Sequence, residues 1–307
     1  MPELASGGWR NPEVCKKYPG SGYLPFLQAN PDIFSSGENW GGTHAKELQI
    51  VQEETNAVGF ALLEKGARGA VLLCLESPLF APVFYDQLIE LKSKFNRQIL
   101  FGSLGTDRAY FPSFDRTKRR KPELWITRKQ KFCFVTSNKH FAQYQDIPGW
   151  AVSPSWQGAL KHQLHNDRYI LIDKLNRQKV LDLYGKGWPP NMTPLATEIP
   201  PGEKCEVMSQ YYFGIAMENT IMPGYVTEKI IDCLVAGTVP VYVGAQDITH
   251  YVPQDCFIDL KKFQWPKGET AVEMIKRGQR FLDSELGDRF SYQAFAERLL
   301  KAIVPSA

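Results

Sequence analysis

Between Tyr212 and Met217 the chain has a short unbroken apolar run bounded by polar residues. The run is too brief for an independent helix and predicts a buried strand. A loop follows over Glu218 to Gly224, where Pro223-Gly224 punctuates a turn. Apolar residues then return at helical spacing from Thr227 to Ala236, with Thr227 placed to cap the start and Gly237 placed for a left-handed C-terminal cap. The β-branched run Thr238 to Val243, closed by Gly244, predicts a second buried strand parallel to the first.

The same alternation extends in both directions. Residues 43–66 carry Leu48, Val51, Ala57, Phe60, Leu62 and Leu63 and predict a helix ended by Gly66. Gly69 to Leu75 predicts a buried strand, and Phe84, Leu88, Leu91 and Phe95 form the core stripe of a helix over 83–95. Short strands are expected at Ile99–Phe101, Lys131–Thr136, Val180–Tyr184 and Phe257–Leu260. A helix opening at Asp167 turns Leu171, Ile172 and Leu175 toward the sheet. Thr270 and Glu273 form a capping-box pattern for a helix to Leu282, and Tyr292–Val304 predicts a last amphipathic helix. Residues 1–42 show weak periodicity, and 139–166 read as an irregular, Trp-rich insertion. Strands alternating with helices predict an α/β protein. The expected organisation is a first domain over 1–125, a second over 126–285, and a terminal helix over 286–307 that returns to the first.

Composition narrows the class. The chain has 307 residues, 43% hydrophobic and 22% charged, as an ordinary globular protein does, and its net charge of +3 gives no general case for nucleic-acid binding. The basic run Arg116 to Lys121 lacks the interleaved aromatics that stack bases and reads as a solvated linker. Neither an apolar run long enough to span a bilayer nor a signal-peptide core is present. The expected location is therefore cytoplasmic, although an excised luminal domain would read the same way. The 6 cysteines are scattered singly and are expected to be reduced. His162 and His165 share a helical spacing without further ligands beside them, so no metal is expected.

Candidate chemistry gathers at the loop–helix junction. A helix start presents unpaired N–H groups and attracts phosphate. Lys229 stands in the first turn, where the helix dipole disfavours a cation and a bound anion would favour it. Glu218 and Asn219 stand at the carboxyl end of the preceding strand, where open α/β sheets bind ligands, and Glu228 flanks the same place. A buried Glu–Lys pair beside an ordinary helix start accounts for the pattern equally well. Two further residues leave two readings open. Glu76 is either a ligand-facing carboxylate at a strand end or a helix-start acid. Arg168 is either an anion-binding fork or a surface residue beside Asp167.

The run Glu218-Asn219, Tyr225-Val226-Thr227-Glu228-Lys229-Ile230-Ile231-Asp232 and then Gly237-Thr238-Val239-Pro240-Val241-Tyr242-Val243-Gly244 resembles the donor-binding signature of the α-1,3-fucosyltransferase family. The resemblance implies two facing Rossmann-like domains of the GT-B type with a cleft between them. It implies fucose transfer from GDP-fucose to a glycan hydroxyl, α-1,3 to N-acetylglucosamine or glucose, with inversion and without a required metal or other cofactor. It assigns Lys229 and Arg168 to the diphosphate and Glu228 to the fucose hydroxyls. Glu218, Asn219, Tyr225, Val226 and Thr227 are placed around the nucleotide-sugar, and Ser137-Asn138 at the opening of the donor domain. Glu76-Ser77-Pro78 is similar to the family element that carries the general base. Less specifically, Asp107 and Tyr110 fall in a segment like one that lines the cleft. Another nucleotide-sugar as donor, or a non-catalytic binding protein of the same fold, would preserve much of this pattern.

Overall fold

The computed structural model describes residues 59–63, 69–74, 77–79, 82–86, 97–102, 110–117, 127–138, 152–189, 192, 199–200 and 203–303. Its elements, in order, are β1 (Gly59–Leu63), β2 (Gly69–Cys74), α1 (Pro82–Asp86), β3 (Arg97–Gly102), β4 (Lys129–Val135), α2 (Pro154–Leu160), α3 (His165–Arg177), β5 (Leu181–Tyr184), α4 (Lys204–Ser209), β6 (Tyr211–Met217), α5 (Glu228–Ala236), β7 (Val239–Val243), β8 (Ile258–Asp259), α6 (Gly268–Leu282), α7 (Glu285–Asp288) and α8 (Tyr292–Ile303). They fall into two compact units. The first comprises 1–113, 141–162 and 291–307, and the second 114–140 and 163–290. Both are discontinuous in sequence.

The second unit is an α/β layer structure. Its five strands run in the order β5-β4-β6-β7-β8, and every neighbouring pair is parallel. The chain steps outward from β4 to β5, then crosses back to place β6 on the other side of β4. The carboxyl ends of β4 and β6 therefore meet at the topological switch point of the sheet. One face buries Phe132, Phe134, Phe213, Ile215, Val239 and Val241 with Ile172 and Leu175 of α3. On α5, Ile230, Ile231, Cys233 and Leu234 are also buried. Close seating of α5 on β6 needs Gly214, because a Cβ there would stand 2.6 Å from Cys233 Sγ. Gly237 ends α5 at φ 66, in the left-handed region that glycine adopts without cost, as its position predicts.

In the first unit the described strands form a three-stranded sheet, β1-β2-β3, with β1 antiparallel to β2 and β2 parallel to β3. Helix α1 meets α2 where Ser155 N donates to Asp86 Oδ1 at 3.0 Å, and α8 lies against β2.

Three expectations are corrected. Residues 59–63 form a strand, not the end of a helix over 43–66. Gly59 to Leu63 is an unbroken apolar run that pairs with β2 throughout, and 43–58 lie outside the described residues. Helix α2 lies within the stretch read as irregular. Ser153 Oγ accepts from Trp156 N at 3.0 Å, and Pro154 opens the first turn. Helix α6 begins at Gly268, ahead of the capping-box pattern. Glu273 therefore reaches no cap and pairs with Lys276 at 2.7 Å. Cys133, Cys205, Cys233 and Cys256 are free thiols, and burial pushes Cys133 up to about 12, so it stays protonated. Among the described residues no helix is long and apolar enough to cross a membrane.

Candidate functional site

The end of β4 is bound to the end of β5. Thr136 N donates to Tyr184 O at 2.8 Å, Asn138 N to Lys186 O at 2.9 Å, and Asn138 Nδ2 to Gly187 O at 3.0 Å. Trp188 Nε1 closes the turn onto Thr136 O at 2.9 Å. Gly185 has φ 125, and a Cβ there would collide with Thr136 O, so Gly185-Lys186-Gly187-Trp188 is the turn that lets these strand ends meet. Ser137 and Asn138 thus stand half-buried at the switch point.

The end of β6 is held by a buried guanidinium. Arg168, in the first turn of α3, is 2% exposed, and its Nη2 donates to Met217 O at 3.2 Å, Glu218 O at 2.9 Å and Asn219 Oδ1 at 3.1 Å. Its Cζ lies 6.0 Å from the Phe134 ring centroid, within cation–π reach. Burial lowers its pKa to about 10, which leaves it charged at neutral pH, and its Nε has no hydrogen-bond partner among the described residues. Sequence reasoning left a surface arginine open, and burial excludes it. The loop is also tied to the start of α3, since Leu164 N donates to Asn219 O at 2.9 Å and Gln163 bridges Thr220.

Glu218 is fully buried and braces the start of α5. Its Oε1 accepts from Thr227 N at 2.9 Å, and its Oε2 accepts from Thr227 Oγ1 at 2.7 Å and from Lys229 Nζ at 3.0 Å. Thr227 holds the capping position, but its hydroxyl serves Glu218 instead of an N–H of its own helix. Lys229 Nζ also reaches Thr227 Oγ1 at 2.7 Å and lies 3.5 Å from Glu228 Oε1. The Glu–Lys pair offered as the plain alternative is therefore present, at the place where a ligand site was read. Tyr225 and Val226 are buried in the connecting loop. Gly224, at φ 76, donates its N–H to Asp247 Oδ1 at 3.0 Å and fixes the turn.

Two residues complete the charge pattern: Asp232, which lies in the signature run without an assigned role, and Lys204, which sequence reasoning passed over. Asp232 lies one helical turn after Glu228, 7% exposed, and is ion-paired with Lys204 at the start of α4. Burial raises the pKa of Glu228, but Lys229 and Lys204 outweigh it and hold that carboxyl down at about 2. Burial, with the Glu228 charge beside it, pushes Asp232 up to about 6. Burial would lower Lys229, but Glu218 and Glu228 outweigh it and raise its pKa. The available signal was Asp232 itself, a charge inside the apolar face of Ile230-Ile231-Asp232-Cys233-Leu234, which demands a cation from elsewhere in the fold.

A pocket opens between these elements, lined by Phe134, Val135, Thr136, Lys204, Met208, Ile215, Met217 and Lys229. Apolar strand ends form its walls, and its charged lining is two ammonium groups. The gap holds about one water molecule, enough for a single anionic oxygen beside the two ammonium groups. The structure brings together Arg168, Glu218, Asn219, Thr227, Glu228 and Lys229, with Ser137 and Asn138 at the adjoining strand end. Glu76 and Asp107 lie outside the described residues. No group of three or more metal-ligating side chains occurs among the described residues.

Residues 149–277 match the family model for glycosyltransferase family 10 (fucosyltransferase), C-terminal part. The 3-galactosyl-N-acetylglucosaminide 4-alpha-L-fucosyltransferase of Pan troglodytes is 30% identical over 157 residues, 50% of this chain and 37% of that protein. The alpha-(1,4)-fucosyltransferase of Arabidopsis thaliana is 46% identical over 56 residues, 18% of this chain and 14% of its own length. The chain thus spans well under half the length of these curated relatives. A crystal structure of an alpha1,3-fucosyltransferase with GDP-fucose aligns at 20% identity and a TM-score of 0.33, covering 60% of this chain and 50% of that one. The match to the glycosyltransferase family 10 (fucosyltransferase) model thus falls on residues 149–277, the part that carries most of the switch-point network.

Proposed function

We propose that the protein transfers fucose from GDP-fucose to a hydroxyl of a glycan acceptor, α-1,3 to N-acetylglucosamine or glucose, with inversion and without a metal. The observation that carries this reading is the Glu218–Thr227–Lys229 brace at the switch point, inside the segment that matches the fucosyltransferase family model. The brace fixes an ammonium at the first turn of α5, where the helix end and the charge act together on a diphosphate. A donor seated there meets a preorganised cation and needs no rearrangement of charge as the sugar–phosphate bond breaks.

The residues take these roles. Lys229 neutralises the departing GDP. Arg168 holds the β6 loop in place through its three acceptors and contributes its positive charge from behind the strand end. Glu228, kept ionised at neutral pH, accepts hydrogen bonds from fucose hydroxyls. Asn219, Tyr225, Val226, Ser137 and Asn138 shape the nucleotide-sugar site around them. Glu76 removes the acceptor proton as the acceptor oxygen attacks the anomeric carbon. The oxygen–carbon bond forms on the face opposite the breaking bond, and GDP leaves with the bonding pair. Relatives named for transfer to both the 3- and the 4-position exist, so the acceptor test must offer both hydroxyls.

The experiment is a transfer assay with GDP-fucose and N-acetyllactosamine, lacto-N-biose and glucose acceptors, with EDTA present, on the native chain and the Glu76→Gln variant. The expected result is a fucosylated product from the native chain, and loss of at least 100-fold in kcat in Glu76→Gln with donor binding retained. Undiminished turnover in Glu76→Gln would remove Glu76 from the mechanism. Hydrolysis or transfer confined to another nucleotide-sugar would replace the donor.

A further inference from the structure

We propose that Lys204 is a second cation for the diphosphate of the donor, held by Asp232 until the ligand arrives. This rests on the donor reading above and adds a residue that the signature does not contain. Its first support is geometric. The pocket at the switch point takes its charged lining from Lys204 and Lys229, which reach it from two different helices, while Arg168 lies outside that lining. The Arg168 Nη2 is engaged by two backbone carbonyls and Asn219, so that part of the guanidinium already serves the loop. The gap has room for about one water molecule, so a single phosphate oxygen reaching into it meets two ammonium groups.

The second support is how the two lysines are engaged. Lys229 Nζ donates to Glu218 Oε2 at 3.0 Å and to Thr227 Oγ1 at 2.7 Å, with Glu228 Oε1 at 3.5 Å. An ammonium has three N–H groups, so Lys229 keeps its brace with two of them and has one to turn to phosphate. Lys204 holds Asp232 as its hydrogen-bond partner, which leaves N–H capacity toward the pocket. Its side chain is also the more exposed, at 29% against 19% for Lys229.

The third support is Asp232. The charged groups around it are Lys204 from α4 and Glu228 and Lys229 from its own helix, with the Cys205 thiol close by. When Lys204 turns toward phosphate, Asp232 is left buried one turn from the Glu228 carboxylate. Two like charges there are disfavoured, so Asp232 takes up a proton from solvent. Donor binding through Lys204 is thus accompanied by proton uptake at neutral pH, an effect that a merely structural Lys204–Asp232 pair does not produce.

The test is calorimetric titration with GDP and with GMP, in two buffers of different ionisation enthalpy, on the native chain, Asp232→Asn, and the double variant Lys204→Met/Asp232→Asn. The double variant removes both charges and so leaves no buried ion unpaired. The expected results are proton uptake on GDP binding in the native chain and none in Asp232→Asn. GDP affinity should be retained or tightened in Asp232→Asn and at least tenfold weaker in the double variant, with a smaller loss for GMP. Equal GDP affinity in the two variants, or no proton uptake by the native chain, would overturn the proposal while leaving the donor site standing. Absence of GDP binding by the native chain would overturn both. Should the double variant fail to fold, the proton count in the native chain against Asp232→Asn decides the matter alone.

Discussion

Toward the amino ends of β4 and β6, Lys131 Nζ donates to Asp182 Oδ1 at 2.7 Å and Tyr211 OH donates to Asp182 Oδ2 at 2.9 Å. The Tyr211 oxygen in turn accepts from Lys129 Nζ at 3.1 Å and lies 2.6 Å from Tyr184 OH. At the opposite ends of the same strands, Arg168, Lys204 and Lys229 face Glu218, Glu228 and Asp232. The first network is one carboxylate with its donors complete and both lysines reaching solvent. The second packs three cations and three carboxylates into a buried space, leaves Arg168 Nε without a partner, pushes two carboxyl groups in opposite directions, and borders a pocket. A satisfied network fixes a fold; a crowded one beside a cavity holds charge ready for a ligand.

Substitutions can break this contrast. The largest effect is expected from Lys229→Met. It strips Glu218 of its ammonium, so unfolding by denaturant should show a loss of about 3–5 kcal/mol, and GDP affinity should fall at least 100-fold. Next comes Arg168→Lys, whose shorter side chain does not carry its nitrogen to the Nη2 position that serves all three acceptors, and which loses the guanidinium beside the Phe134 ring. About 1–3 kcal/mol of stability should go, with a smaller loss of GDP affinity than for Lys229→Met. Gly185→Ala should cost about 1–3 kcal/mol through backbone strain at φ 125, read as a lower denaturation midpoint.

The smallest effect belongs to the satisfied network. Asp182→Asn should lose about 1 kcal/mol at pH 7 and leave GDP affinity unchanged. Burial raises the Asp182 carboxyl, but hydrogen bonds from Lys131 and Tyr211 outweigh it, so the net direction is down. Its contribution is present above the unfolded value of about 4 and is lost as pH falls through the lower folded value. A stability profile from pH 7 to pH 2 should therefore be flatter at its acid end in Asp182→Asn. An effect on GDP affinity as large as that of Lys229→Met would erase the distinction between the two networks.

What was legible in the sequence follows from range. The strand–loop–helix–strand unit was readable because its signals are local: the apolar run of β6, Pro223-Gly224, Thr227 at the cap position, Gly237 past the helix end. Gly59 to Leu63 was misread because five apolar residues following an apolar-spaced stretch do not announce a strand until a partner is known. Helix α2 did announce itself, through Ser153-Pro154, but the surrounding tryptophans and prolines drew the reading toward irregular structure. At the site, Glu218, Asn219, Glu228 and Lys229 were read from adjacency and from the signature. Lys204 was not, because its partner stands 28 positions away and only the packing of α4 on α5 brings them together. The engagement of Glu218 by Thr227 is a tertiary outcome of the same kind, since a threonine at a helix start ordinarily caps it.

The central claim is that the switch-point network of the second unit binds the diphosphate of GDP-fucose. The most direct measurement is calorimetric titration of the native chain with GDP, GDP-fucose, GDP-mannose and UDP-galactose, with EDTA present. Binding of GDP and GDP-fucose, weak binding of GDP-mannose and none of UDP-galactose is the result expected. No binding of any of the four, or a preference for the uridine donor, would contradict it.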